Sequence, residues 1–329
     1  MLLTRGEGLR DTGTVTEEEA PECLAILGPT GIGKSGLSLS VAAALDGEII
    51  NADSIQTYRG LEIGTSKPTA KDRKLVPHHL LDFLDPAERF SAGEFALRAT
   101  SVVADIRQRR RLPLVVGGNG FYLRALFDGL SPIPTVPSKV REELEERLLA
   151  EGLGALYEEL LCVDAKTAAR ISPNDRQRIL RALEVVAATG RPLSSWQEER
   201  RRKLEISVLR VGLTCARDVL YDRLALRARR MLESGWLEEV RGLLEAGIEE
   251  DSPAFQAIGY RELAAHLRGD ITLDQATSAL LQATRRYAKR QLTWFRGEPG
   301  IRWFVVDSRE RLSSEVLDYL AASGLQGSP

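Results

Sequence analysis

Cysteine, histidine and methionine are scarce in this chain, at three, three and two among 329 residues. Cys23, Cys162 and Cys215 are odd in number and far apart, which excludes a disulfide framework and matches no zinc-ligand spacing. His78, His79 and His266 do not complete a metal cluster with them. A reducing cytoplasm is the expected compartment. No apolar run is long enough to span a bilayer, so no membrane association is expected. The N-terminal stretch lacks the apolar core of a secretion signal, and Glu17, Glu18 and Glu19 argue against an acid-poor transit peptide. Residues 1–21 read as a mobile tail before the first strand. An excess of charge of one sign is also missing, the net charge being -2. Bulk charge therefore announces no nucleic-acid partner, but local charge does. Between Gln275 and Gly297 stand Arg285, Arg286, Lys289, Arg290 and Arg296, with no acidic residue among them.

What is present is an alternation of strand and helix. Cys23–Leu27 is a short apolar run, a glycine-rich turn follows, and Leu37–Leu45 has helical composition. Glu48–Ala52 reads as a second strand ending at Asp53, and Leu114–Val116 as a third, closed by Gly117 and Gly118. This order implies an α/β fold with a parallel sheet covered on both faces. Ser131–Pro137 holds three prolines, which neither a helix nor a central strand accommodates, so a junction is expected there. Beyond it Val140, Leu144 and Leu148 form one helical stripe. In a second helix Ser172 is expected as N-cap, Pro173 at the first position and Asp175 against the positive dipole end. Ile179, Leu183 and Val186 would form its buried face and Gly190 its stop. Ser207–Thr214 returns to strand composition, helices run from Arg217 to about Trp294, and Ile301–Val306 is a last strand. The expected organisation is a core of residues 22–134 and 206–329, interrupted by a helical insertion at 135–205.

Gly28, Pro29, Thr30, Gly31, Ile32, Gly33, Lys34 and Ser35 fit the phosphate-loop pattern G-x-x-x-x-G-K-[ST], with a strand before and a helix after. Glycines let backbone N–H groups converge, and the helix N-terminus adds positive potential. Lys34 supplies a point charge for phosphate oxygens, and Ser35 can ligate magnesium. The loop implies a polyphosphate without saying which. Asp53 closes the second strand, so it should face the same crevice, because ligands sit beyond the carboxyl ends of parallel strands. A carboxylate there can act as a general base, associate with magnesium or cap a helix.

The stretch Asn51-Ala-Asp-Ser-Ile-Gln-Thr-Tyr-Arg-Gly-Leu-Glu-Ile-Gly-Thr-Ser-Lys-Pro68 resembles the signature of the tRNA dimethylallyltransferases. The resemblance continues through Pro77–Asp82, Val116–Tyr122, Pro173–Arg178, Ala257–Arg261 and Thr284–Trp294, and spans nearly all but the tails. It implies a phosphate-loop core with an inserted helical domain. It also implies transfer of a dimethylallyl group from its diphosphate to the exocyclic amine of the adenosine 3′ of the tRNA anticodon. By that resemblance Asp53 is the general base. The phosphate loop, a Mg2+ at Ser35 and Arg227 hold the diphosphate, with Arg223 a competing assignment for Arg227. Contacts to the tRNA anticodon stem-loop are implied for Asp53, Ser54, Ile55, Gln56, Asn119 and Arg141. The same holds for Gln177, Arg178, Ile179, Leu180 and Arg181, and for Gln256, Ala257, Ile258, Gly259, Tyr260 and Arg261. Arg285 and Lys289 join them from the basic segment, in which Trp294 is expected to be buried. Asn119 departs from the threonine usual in the family, though an amide can also donate and accept. No zinc-finger extension of the eukaryotic kind is seen, which points to a bacterial-type enzyme; a monomer is expected. A nucleotide kinase shares the loop but not the D-S…I-G-T-x-K-P signature. A prenyltransferase acting on free adenine nucleotides would not need the helical insertion. A noncatalytic tRNA-binding protein would not need Lys34, Ser35 and Asp53.

Overall fold

The computed structural model describes residues 21–199 and 204–325, so the expected tail lies almost wholly outside the described residues. Six strands form one parallel sheet: β1 (Cys23–Leu27), β2 (Gly47–Asn51), β3 (His78–His79), β4 (Leu112–Gly117), β5 (Val208–Thr214) and β6 (Ile301–Val305). Their order is β3-β2-β4-β1-β5-β6, which puts β1 and β4 at the centre. In β1 every residue is buried, because alternate side chains enter two different cores. Leu24 and Ile26 pack under helices α1 (Lys34–Ala44) and α13 (Arg309–Ala322). Cys23, Ala25 and Leu27 pack under α3 (Ala92–Gln108) and α4 (Gly120–Phe127), which follow the short α2 (Ala70–Leu75). Cys23 is therefore an inert core residue, its thiol pushed up to about 12 by burial.

Residues 138–198 hold α5 (Ser138–Val163), α6 (Ala165–Ala168), α7 (Arg176–Thr189) and α8 (Leu193–Glu198). They have a core of their own, built on Leu144, Leu156, Leu160, Ile179 and Leu183. α5 is broken at Gly152, where φ is 82°. The expected N-cap moves: α7 starts at Arg176, and Asp175 is the cap, accepting from the Arg178 N–H at 3.1 Å. Ser172 and Pro173 lie outside the helix, because the carboxylate of Asp175 already satisfies its first free donors. Val185 rather than Val186 is fully buried, and Gly190 ends the helix in the left-handed region as expected. The chain returns beside its point of departure, with the Leu204 N–H donating to the Leu126 carbonyl at 3.2 Å.

A third group of helices sits beyond the carboxyl edge of the sheet: α9 (Arg217–Glu233), α10 (Trp236–Glu245), α11 (Tyr260–Leu267) and α12 (Leu273–Arg296). These pack with Tyr58 and Leu61 around Trp236, Phe255 and Tyr260. α12 also reaches both sheet cores, through Ala288 and Phe295. Trp294 is only half-buried, against expectation. One helical position cannot place both Trp294 and Phe295 inward. Phe295 takes the core, and the Arg124 guanidinium covers the Trp294 ring at 4.2 Å.

Candidate active site

β1 ends at Leu27 and β2 at Asn51, so the phosphate loop and Asp53 leave the sheet at the same edge. Gly28, Gly31 and Gly33 take φ of 148°, 77° and 107°, conformations that side chains with a Cβ resist. Two distant helices tie the loop down. Gln291 of α12, buried, accepts from the Thr30 N–H at 2.8 Å and donates to the Gly118 carbonyl at 2.8 Å. Arg227 of α9 donates to the Thr30 hydroxyl at 2.8 Å. It also donates to the Ser66 hydroxyl at 3.1 Å and the Thr65 carbonyl at 3.4 Å. Arg223, the competing assignment, points instead to the Val306 carbonyl, 3.5 Å away.

Lys34 donates to the carbonyls of Gly28 and Pro29 at 2.9 and 2.8 Å. Burial, first, lowers its pKa to about 8; the Asp53 charge raises it and the Arg227 charge lowers it. Asp53, Lys34 and Arg227 line one cavity. Asp53 Oδ1 accepts from the Ile55 N–H at 2.9 Å, and the Asp53 N–H donates to Asn51 at 3.2 Å. Tyr287 of α12 is also within reach of this charge. Burial, and then Asp53, push its hydroxyl up, so it stays protonated.

Two cavities meet here. One, of about 310 Å³, is polar: Thr30, Lys34, Ser35, Asn51, Asp53 and Arg227 line it. The other, of about 370 Å³, is mixed: Leu224, Met231, Trp236, Ile258 and Leu280 line it beside Thr284, Tyr287 and Arg290. Thr30, Asp53, Thr65 and Arg227 belong to both walls. Gln56 lines the first cavity, and Ser54, Ile55, Gln256, Ala257 and Ile258 the second. Ser35 is exposed at the start of α1 and shares the first cavity with Asp53. A hydroxyl and a carboxylate are hard oxygen donors suited to magnesium, which completes its shell with phosphate and water. Among the described residues no cluster of three His, Cys, Asp or Glu offers another metal site.

The remaining sequence-derived positions divide by burial. Gln177, Arg178, Arg261 and Lys289 are exposed. Arg141 and Arg181 both pair with buried Glu184, at 3.0 and 3.1 Å. Ile179, Leu180 and Tyr260 are buried, so their side chains present nothing to a partner, whereas Ala257, though buried, lines the second cavity. Gly259 is buried too. Asn119 caps α4, accepting from the Tyr122 N–H at 3.3 Å. Arg285 is half-buried over the Tyr221 ring at 5.1 Å. Gln291, Tyr287 and Thr65 were missed by sequence reasoning, although all three fall inside quoted motifs.

A parallel sheet with this loop after its first strand and an acid after its second defines a phosphate-loop α/β protein. Within that class the IPP transferase family model matches residues 56–298, and the isopentenyl transferase model residues 21–81. The chain is 47% identical over 288 residues to a tRNA dimethylallyltransferase of Geobacter metallireducens, covering 87% of this chain and 93% of that one. It is 44% identical over 307 residues to tRNA dimethylallyltransferase 1 of Citrifermentans bemidjiense, covering 93% and 99%. Among solved structures, the tRNA isopentenylpyrophosphate transferase of Bacillus halodurans is 40% identical with a TM-score of 0.67, covering 92% of this chain and 96% of that one. A eukaryotic dimethylallyltransferase acting on tRNA is 27% identical with a TM-score of 0.77, covering 92% and 80%. The chain belongs to the IPP transferase family, as a tRNA dimethylallyltransferase-type member.

Proposed function

We propose that this protein transfers a dimethylallyl group from dimethylallyl diphosphate to the exocyclic amine of the adenosine 3′ of the tRNA anticodon. The observation that carries this is the shared wall: Asp53, Thr30 and Arg227 stand between a polar cavity and a mixed one with an apolar side of Leu224, Met231, Trp236, Ile258 and Leu280. The polar side suits the diphosphate, and the apolar side suits the prenyl chain and a base turned out of its stack. The C–O bond to the diphosphate breaks as the N–C bond forms. The diphosphate leaves with the bonding pair, and the amine proton passes to the Asp53 carboxylate. Lys34, Arg227 and the loop N–H groups stabilise the charge that develops on the leaving oxygens. A magnesium ion, when bound, would sit at Ser35 and neutralise diphosphate charge.

The insertion and the outer face of α12 supply the RNA surface. Gln177, Arg178 and Lys289 are exposed side chains able to meet phosphate or sugar, and Arg290, also exposed, borders the second cavity. Their binding energy supports extrusion of the target base, which costs a few kcal/mol in general. Mass spectrometry of tRNA incubated with the protein, magnesium and dimethylallyl diphosphate tests the reading. It expects one added C5H8 unit on a single adenosine of the anticodon loop. Unmodified tRNA, or ATP turnover without tRNA, would refute it.

A further inference from the structure

Arg227 leans on a turn that is tied together internally, the Ser66 N–H donating to the Ile63 carbonyl at 2.9 Å and the Thr65 hydroxyl to the Leu61 carbonyl at 2.6 Å, and that is fastened from outside as well. Its partners Thr65 and Ser66 end the irregular stretch Glu62–Ser66 between Leu61 and the buried Lys67. Three consecutive N–H groups of that stretch, from Glu62, Ile63 and Gly64, donate to one carboxylate, that of Glu239 in α10, at 2.7, 2.7 and 3.1 Å. The Tyr260 hydroxyl donates to the same carboxylate at 2.7 Å. Burial, and then the Glu239 charge, hold that hydroxyl protonated, so it remains a donor. A carboxylate taking four donors at once is a strong, directional anchor. The fit around it is tight. A Cβ on Gly64 would stand 2.0 Å from the Trp236 indole nitrogen, and one on Gly259 2.2 Å from the same ring. Trp236 therefore fills the space between the anchored segment and the chain leading into α11. Glu239 itself lines none of the cavities described above.

We infer that Glu239 is a positioning residue for the donor diphosphate, acting through Glu62–Ser66 on the guanidinium of Arg227. This rests on the reading of Arg227 as a diphosphate ligand. Its geometry is one carboxylate on one helix fixing the turn that fixes the arginine. Without that anchor the turn keeps its internal hydrogen bonds and the one from Gln56 to the Thr65 carbonyl, but Glu62–Gly64 lose their hold on α10, and Thr65 and Ser66 are no longer fixed relative to Arg227.

The test combines steady-state kinetics with titration of inorganic pyrophosphate, on Glu239→Ala, Glu239→Gln, Arg227→Ala and the Glu239→Ala/Arg227→Ala double variant. Glu239→Ala is expected to raise the KM for dimethylallyl diphosphate and the pyrophosphate Kd about tenfold, with the KM for tRNA within about twofold. Glu239→Gln keeps one carboxamide oxygen for Glu62 and Ile63 and should lose only about threefold. In the Arg227→Ala background, Glu239→Ala should add less than about twofold, because both changes remove one function. Equal losses toward donor and tRNA, or full additivity, would overturn the inference. Unchanged pyrophosphate affinity in Arg227→Ala would strike the diphosphate reading itself, and the inference with it. Should Glu239→Ala fail to fold, Tyr260→Phe carries the same expectation in weaker form, removing a single donor from the carboxylate.

Discussion

Asp53 and Lys34 are where chemistry reduces to single atoms. Asp53→Asn keeps the side-chain shape, and its carbonyl oxygen can still accept from Ile55. It cannot take a proton from an amine. Single-turnover transfer should fall by about 10²–10⁴, with tRNA affinity unchanged in a filter-binding titration. Lys34 gives a pH dependence with a definite sign. Its pKa is lowered to about 8, burial being the main cause, so the ammonium is charged below that pH and neutral above it. kcat/KM for the donor should be level below about pH 8 and then fall about tenfold per unit as the charge facing the diphosphate is lost. Lys34→Arg stays charged throughout and should abolish that descending limb; a limb that persists assigns the titration to another group. At this scale the sequence was informative about identity and silent about choice. The phosphate loop and Asp53 are legible because backbone turn and strand end are local. Arg223 and Arg227 lie one turn apart on the same helix, and the positions of Thr30, Thr65 and Ser66, from distant segments, separate them.

Among the elements, α12 shows why a basic run is an incomplete description. Lys289 and Arg290 are exposed, while Ala288, Gln291 and Phe295 face inward. The charge run is visible in the sequence, but the inward partners of Gln291, 173 and 261 residues away, are not. Gln291→Leu should leave a buried N–H and a buried carbonyl unpaired, lowering stability by about 1–3 kcal/mol in urea unfolding and weakening pyrophosphate binding. β3 escaped notice because two residues carry no periodicity, and it is an edge strand placed by pairing with Ile49 and Ile50. The N-cap was expected one turn early, at Ser172, because Ser172 and Asp175 are both good caps locally; the structure uses Asp175, whose carboxylate takes the Arg178 N–H. The insertion's arginines are likewise unequal. Arg178 is exposed and, among the described residues, pairs only with Asp175 at 3.3 Å, so Arg178→Ala should lower the salt slope of tRNA binding by about 1 without disturbing the fold. An unchanged slope would return Arg178 to an ordinary solvated face. Arg181 pairs with buried Glu184, so its removal would test the helix packing as much as the RNA contact.

For the whole molecule, we propose that the sheet core and the helical insertion divide the labour between donor and tRNA. The α5–α8 helices share a separate core, and the Leu126–Leu204 hydrogen bond brings the flanking chain together. Replacing residues 135–203 by a short linker should therefore keep pyrophosphate affinity and lose most of the tRNA affinity, both read by titration. Loss of both would make the two parts one folding unit. The parallel sheet was foreseeable from the alternation of apolar runs and helices. The third group of helices was foreseeable as helix, and the resemblance implied site residues on it such as Arg227, but not Gln291 and Tyr287, which also reach the site. That arrangement bears on the timing of synthesis. Thr30 is held by Arg227 and Gln291, which follow it by 197 and 261 residues. At about 5–20 residues per second, a ribosome takes on the order of 10–50 s to travel from Thr30 to Gln291. A growing chain thus carries the loop's sequence long before it can carry the loop's shape, and its capacity to hold a diphosphate arrives only near the end of translation.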